Sequence, residues 1–286
     1  MLLSPVEYAR PSSIGEAVRA LSQHDGARPL AGGQTLVNVM KTRMAAPDVL
    51  VDLAAIDELR TIAQAADGGL ELGAMVTYSA LMGSAEVGAA RPIIAEVAAQ
   101  IADVQVRNRG TIGGNLCAND PTNHFPPLMV ALDATMTIAG EAGERQVAAE
   151  DFFLGVYVTA VEPGELLTKA TIPPANGAGD SFSSVTIGKD GTGIVNVAAS
   201  VRANGTVQDA RVAVGCVSAV PERAGEMETR LKGAAVDEET IRAAAQGLGA
   251  SFDPPSDVHG SAEYRRHLAE VLAARAVLQA AERAGG

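Results

Sequence analysis

Two pairs of adjacent glycines, in "AGGQT" (31–35) and "TIGGN" (111–115), constrain this chain more than any other feature. Adjacent glycines remove two Cβ atoms and permit positive φ. A ligand can then lie against bare main chain, and successive backbone N–H groups can converge on an anion. A polar side chain follows each pair, Gln34-Thr35 in one and Asn115 in the other, placing donors and acceptors beside the bared backbone. Around the first pair, "ARPLAGG" reads as a brief buried strand running into a turn, and "TLVNVMKTRM" has the period and basic end of a helix. "DVLVDL" (48–53) is a second strand, which gives an early βαβ-like unit. A helix opening directly after a glycine turn favours a phosphate, and two such loops in one unit can clamp a pyrophosphate. Among 30 glycines a Gly-Gly pair also arises by chance, and "DGG" (67–69) reads as an ordinary hairpin turn.

The remaining pattern is mixed. "SIGE" (Ser13 to Glu16) has capping-box spacing before a helical face of Ala17, Val18, Ala20 and Leu21. Residues 56–80 alternate apolar and polar around "DGG", as a hairpin does, and "PIIAEVAAQIA" sets Ile93, Ile94, Val97 and Ile101 on one helical face. A helix passing into a strand is expected over 126–140 and a strand stopped by two prolines over 164–174. "PPANGAGDS" (173–181) has linker composition. Three strand-like runs follow, with a turn at "ANG", and then a helical tail with Tyr264, Leu268, Val271, Leu272 and Leu278 at roughly helical spacing.

At 286 residues, two or three compact units are expected. A net charge of −12 argues against nucleic acid and anionic membranes, which recruit Lys and Arg. With only Cys117 and Cys216, neither a disulfide framework nor a cysteine-ligated iron–sulfur cluster can be built from this chain alone, so any cluster must sit on a partner. The start lacks signal or transit character, and no apolar run suits a membrane helix, so a cytoplasmic location is expected. G-x-G-x-x-G before a helix, the P-loop and G-x-S-x-G are all missing. His24, His124, His259 and His267 are dispersed, so neither a metal site nor a catalytic residue is assigned, and Cys117 reads as a small buried or loop residue.

Four segments in order, "RPLAGGQTLVNVMKTRMAAPDVLVDL", "IADVQVRNRGTIGGNLCANDP", "VEPGELLTKATIP" and "SAEYRRHLAEVLAARAV", span nearly the whole chain. Together they resemble the medium, FAD-binding subunit of molybdenum hydroxylases of the carbon monoxide dehydrogenase and xanthine dehydrogenase type. The resemblance implies an α+β fold: a vanillyl-alcohol-oxidase-type FAD-binding domain over 1–175, with two α/β subdomains divided near residue 55. A C-terminal domain over 178–286 would hold a three-stranded antiparallel sheet with helices. It places the FAD pyrophosphate over Gly32-Gly33 and Gly113-Gly114, Thr111 and Asn115 at the flavin end, and Leu167 against the flavin. Ala31, Gln34, Thr35, Leu36, Ile112, Asp120, His124 and Lys189 complete the implied set.

The resemblance further implies a large molybdopterin subunit, a small subunit with two [2Fe-2S] clusters, and a dimer of such heterotrimers that can meet membrane electron acceptors peripherally. Substrate, carbon monoxide or an N-heterocycle or aldehyde, would be oxidised on the large subunit. The sequence departs from the family pattern twice. His124 stands where relatives often carry Asp, which would alter the charge near the cofactor. Residues 183–200 are Gly-rich without an aromatic, so an aromatic lid is expected to be absent or supplied by another chain, and Lys189 only weakly substitutes for the family's lysine. No four-cysteine insertion is present. A self-contained FAD oxidase or dehydrogenase is the alternative, and it would need its own base and substrate groups. A binding module without activity would not need both glycine pairs.

Overall fold

Local signals start most elements. In the computed structural model, which describes residues 3–188 and 191–284, β1 (Glu7–Ala9) leads to α1 (Ile14–Ser22), capped by Ser13 Oγ accepting the Glu16 N–H at 3.3 Å. Glu16 reaches one residue further back than a capping box would, accepting from the N–H and hydroxyl of Ser12 at 2.8 and 2.9 Å. β2 (Ala27–Leu30), α2 (Leu36–Lys41) and β3 (Val49–Asp52) follow, and the strands form a parallel sheet in the order β1-β3-β2. The expected βαβ unit is therefore present. β2 is an edge strand, which is why Arg28 and Pro29 are exposed rather than buried.

β4 (Ile62–Gln64) and β5 (Leu70–Gly73) form the hairpin around "DGG", with Gly68 at φ +88°. The alternating pattern ends sooner than its reading to residue 80 suggested. Thr77 Oγ1 accepts the Ala80 N–H and starts α3 (Tyr78–Gly83). Then come α4 (Ala85–Ala90), α5 (Pro92–Gln100), which buries Ile93, Ile94 and Val97, α6 (Val104–Arg107), α7 (Ile112–Ala118) and α8 (Phe125–Ala131). β6 (Thr135–Gly140), β7 (Gly143–Ala148), α9 (Ala149–Phe152), the small hairpin β8 (Phe153–Gly155) and β9 (Val158–Thr159), and β10 (Leu166–Ile172) complete this part. Its antiparallel sheet runs β4-β5-β10-β6-β7, with a break in register between Leu167 and Lys169 of the central strand.

β11 (Gly179–Ile187), β12 (Thr192–Asn204) and β13 (Thr206–Gly215) are the three expected strands. A two-residue fourth, β14 (Glu222–Arg223), extends their antiparallel sheet. α10 (Gly225–Leu231), α11 (Glu238–Ala245) and α12 (Ala262–Ala284) follow. α12 covers one face of the sheet and α8 packs on the other, so β12 reads as a nearly continuous buried run. On α12 Leu268 and Leu272 are buried as expected, but the rest of the packed face differs. Tyr264 and Val271 are exposed, while Ala269, Ala273, Ala276, Val277, Ala280 and Ala281 face the sheet. The cause is close approach: Ser181 Oγ donates to Ala276 O at 2.6 Å, and a Cβ on Gly179 would overlap Ala280 O, so only small side chains fit.

The linker-like stretch is held firmly. The buried Arg91 guanidinium donates to the Asp180 carboxylate at 2.8 and 2.9 Å and to the carbonyls of Pro173 and Pro174 at 3.0 and 3.2 Å. β11 begins inside the stretch, at Gly179.

Candidate cofactor-binding cleft

The two glycine pairs meet. A Cβ on Gly32 would overlap the carbonyl oxygen of Arg109, so the turn after β2 can touch the segment before α7 only as glycine. Around this junction lies a cleft of about 770 Å³, within the range of small-molecule and cofactor sites. Its walls are the turn and first residues of α2, the start of α7, residues 122–124, Leu167 of β10, and Gly191 and Thr192 leading into β12.

The pairs do different jobs. Gly33 has φ +73°, and the N–H groups of Gly32, Gly33, Gln34 and Thr35 find no acceptor among the described residues. Thr35 makes no side-chain cap, so the start of α2 presents bare donors to the cleft. The second pair does not form the positive-φ loop expected of it. Gly113 and Gly114 sit in the first turn of α7, and their N–H groups are already used. Gly113 donates to Ala74 O at 2.9 Å, and Gly114 to Oγ1 of the N-cap Thr111 at 3.1 Å. Ile112 donates to Val76 O and Asn115 to Thr111 O. These glycines act by lacking Cβ atoms: one on Gly113 would stand 2.5 Å from Ala74 Cβ, and one on Gly114 2.9 Å from Thr111 Oγ1 and 3.6 Å from Ala31 Cβ. Anion donors therefore come from the turn after β2, and close approach of neighbouring segments from both pairs.

Ala31, Gly32, Gly33, Gln34, Thr35, Leu36, Thr111, Gly113, Gly114, Asn115, His124 and Leu167 all line the cleft. Ile112 does not: its side chain lies in the core. Asp120 stands behind the wall, accepting from the Thr122 N–H and hydroxyl at 2.9 and 2.8 Å and from the Tyr157 hydroxyl at 3.1 Å. Lys189 lies outside the described residues. Leu167 sits at the register break in β10, where a bulge re-aims a side chain. An aromatic also reaches the cleft from within this chain, the exposed Tyr157 of the β8–β9 hairpin. "FLGVYVT" held no signal that would have assigned it there.

Three buried titratable groups on the wall, His124, Cys117 and Tyr78, are held neutral, while Glu165, also on the wall, is held ionised by Arg145. Burial pushes His124 down from 6.5 to about 4, against a hydrogen bond with the Thr122 backbone that favours the protonated ring. His124 is thus uncharged at neutral pH and adds no positive charge to the wall. Burial likewise raises the Cys117 thiol to about 12 and the Tyr78 hydroxyl to about 12, the latter opposed by Asn115 Nδ2 donating to it at 3.0 Å. Two buried wall atoms, Asn115 Oδ1 and His124 Nε2, have no hydrogen-bond partner. Free backbone donors, a cleft of cofactor size and orphaned polar atoms together suit a large ligand carrying both an anionic and a flat heterocyclic part, as FAD does.

Residues 4–175 match the model of the FAD binding domain in molybdopterin dehydrogenase, and residues 181–280 match the CO dehydrogenase flavoprotein C-terminal domain. The chain belongs to the medium, FAD-binding subunits of carbon monoxide dehydrogenase and xanthine dehydrogenase-type enzymes. As a member of this medium-subunit family it is a flavoprotein oxidoreductase subunit. It is 41% identical over 288 residues to the carbon monoxide dehydrogenase medium chain of Afipia carboxidovorans, covering 99% of each. It is 34% identical to the nicotine 6-hydroxylase medium subunit of Paenarthrobacter nicotinovorans, covering 99% of this chain and 100% of that one. The structure of quinoline 2-oxidoreductase from Pseudomonas putida 86 superposes with a TM-score of 0.95 at 36% identity over 99% of each chain. Solved chains from quinoline 2-oxidoreductase and from Cu,Mo-CO dehydrogenase share this fold, each with a TM-score of 0.95. No described helix is long and apolar enough to cross a membrane.

Proposed function

We propose that this chain is the electron-transfer flavoprotein subunit of a cytoplasmic heterotrimeric molybdenum hydroxylase, assembled as a dimer of heterotrimers. The observation that carries this reading is the pairing of unsatisfied backbone donors at Gly32–Thr35 with a cleft wall whose His124, Cys117 and Tyr78 stay neutral. Such a wall binds and orients, and it supplies no group that changes protonation near pH 7. That favours the subunit over a self-contained oxidase or dehydrogenase, which would need its own base. The free N–H groups hold the pyrophosphate, Gly113 lets α7 close on Ala74, and Gly114 keeps the space between Thr111 and Ala31 clear for the ligand. Thr111, Asn115 and His124 frame the flavin end, and Leu167 excludes water from its face. FAD held by these residues would supply electron storage between two [2Fe-2S] clusters of a small subunit and an external acceptor. The large molybdopterin subunit carries the substrate chemistry, on carbon monoxide or on an N-heterocycle or aldehyde.

We also propose two domains, 1–175 and 178–286, joined through the Arg91 clamp. The test is reconstitution of the purified full chain with FAD, followed by titration calorimetry and visible spectroscopy. Stoichiometric binding is expected, together with no bleaching by carbon monoxide, aldehydes or N-heterocycles until the partner subunits are added. A folded chain that takes up no FAD would overturn the reading, and bleaching of the isolated chain would favour the self-contained enzyme.

A further inference from the structure

Besides Thr192 at the start of β12 and Phe182 of β11, the C-terminal sheet reaches the cleft wall through a side chain that nothing in the sequence singles out. Asn196 lies in β12 between Val195 and Val197 and is fully buried. Its Nδ2 leaves the sheet, donating to Thr122 O at 3.3 Å and Asn123 O at 3.2 Å, while Oδ1 accepts from Ser184 Oγ at 2.6 Å. The Gly193 N–H also donates to Thr122 O at 3.3 Å. Gly193 must be glycine, because a Cβ there would stand 2.5 Å from the Asn196 amide. The contact continues towards α7: Asn123 Nδ2 donates to Asn115 O at 3.1 Å, and the His124 ring stacks on Phe182 of β11 at 5.3 Å. Asn115, Thr122, Asn123 and His124 all line the cleft.

An amide at this position carries a desolvation cost that the valines and alanines around it avoid, and it is tolerated only because each of its polar atoms is satisfied. Both of its donors are spent on the carbonyls of a cleft wall, not on the sheet that holds it. A purely structural role could be filled by an apolar side chain, whereas two directed bonds to consecutive carbonyls specify where a loop stands. We propose that Asn196 is a positioning residue that fixes the Thr122–His124 wall of the cofactor cleft and thereby sets how tightly, and at what potential, the cofactor is held. The inference rests on the FAD reading above. Asn196 acts only through the two carbonyls.

Two variants of the full chain separate positioning from bulk. Asn196→Ala removes both donors, and Asn196→Asp keeps the shape and the Ser184 bond but turns an acceptor towards two carbonyls. Ser184→Ala removes only the sheet-side bond and serves as control. Hydrogen exchange without added FAD is read at the amides of residues 122–124. Both Asn196 variants should exchange faster there, and Ser184→Ala should not.

With FAD, both Asn196 variants should bind about tenfold more weakly, as expected for lost directed hydrogen bonds. Their two-electron reduction potential should shift, while Ser184→Ala keeps both values. Combining Asn196→Ala with Asn123→Ala should cost less than the two effects added, because the second bond hangs on the first. Unchanged exchange at 122–124, or an affinity within twofold of wild type with an unshifted potential in variants that merely melt earlier, would refute the proposal. A wild-type chain that binds no FAD would instead refute the reading beneath it, while the exchange result still decides the positioning.

Discussion

Lowering the pH from 7 to 5 should destabilise this chain through His124. Its folded value of about 4 lies below the ordinary 6.5, so the unfolded chain takes up the proton first as pH falls. The stability that neutral burial contributes is therefore complete above about pH 6.5 and is drained as pH drops towards 4. At about 1.4 kcal/mol per pH unit, the whole displacement is worth about 3 kcal/mol, of which about 2 kcal/mol disappears between pH 7 and pH 5. The native state can resist protonation because the ring is packed on Phe182 and is only 2% exposed. Urea unfolding at the two pH values should be compared with the same measurement on His124→Phe, which keeps a flat ring on Phe182 and cannot titrate. Asp257 and Glu165 are held below the usual carboxylate range, Asp257 chiefly by the His259 N–H and Glu165 by Arg145, so they stay ionised at pH 5. The wild type should lose about 2 kcal/mol more than the variant. Equal losses in both proteins would mean that His124 is solvated or charged in the native state, and the burial argument would fall.

Gly114→Val should remove FAD binding with a small loss of stability, because the new side chain meets Thr111 Oγ1 and Ala31 at the cleft. Gly113→Val drives into Ala74 and should cost about 1–3 kcal/mol of stability as well, which thermal melts would separate. Arg91→Met should cost about 3–5 kcal/mol in chemical denaturation, since it strands the buried Asp180 carboxylate without a partner. Cys117 should react slowly with iodoacetamide at pH 8, with Cys117→Ala binding FAD normally, and rapid alkylation would contradict its raised pKa. Tyr157 holds φ +59° with its N–H donated to Asn119 O, an unfavourable backbone for a bulky residue. Tyr157→Ala should brighten the fluorescence of bound flavin if the ring shields it, and unchanged fluorescence would exclude that role.

The elements were legible where their causes are local. Ser13, the "DGG" turn, the Pro-led face of α5 and the early βαβ unit each depend on neighbours within a few residues, so pattern and capping chemistry suffice. The positions of the two glycine pairs were legible too, because bare backbone leaves a visible mark. Their division of labour was not. Whether an N–H is free depends on what lies opposite it in space, and Ala74 and Val76, some forty residues before α7, take up donors that the sequence shows as available.

The same limit applies to α12 and to the polar wall. Helical spacing marks Leu268 and Leu272, which do pack, but it also marks the exposed Tyr264 and Val271 and passes over the alanines that let the helix approach Gly179 and Ser181. Nothing in the sequence marks Asn196 in its apolar strand, and His124 stands out only as a departure from the relatives' Asp. Only the folded chain brings Asn196 to two carbonyls more than seventy residues away, and strips His124 of the water that would have charged it. Backbone conformation is written in neighbouring residues. Hydrogen-bond partnership and desolvation are properties of surfaces that meet only after folding.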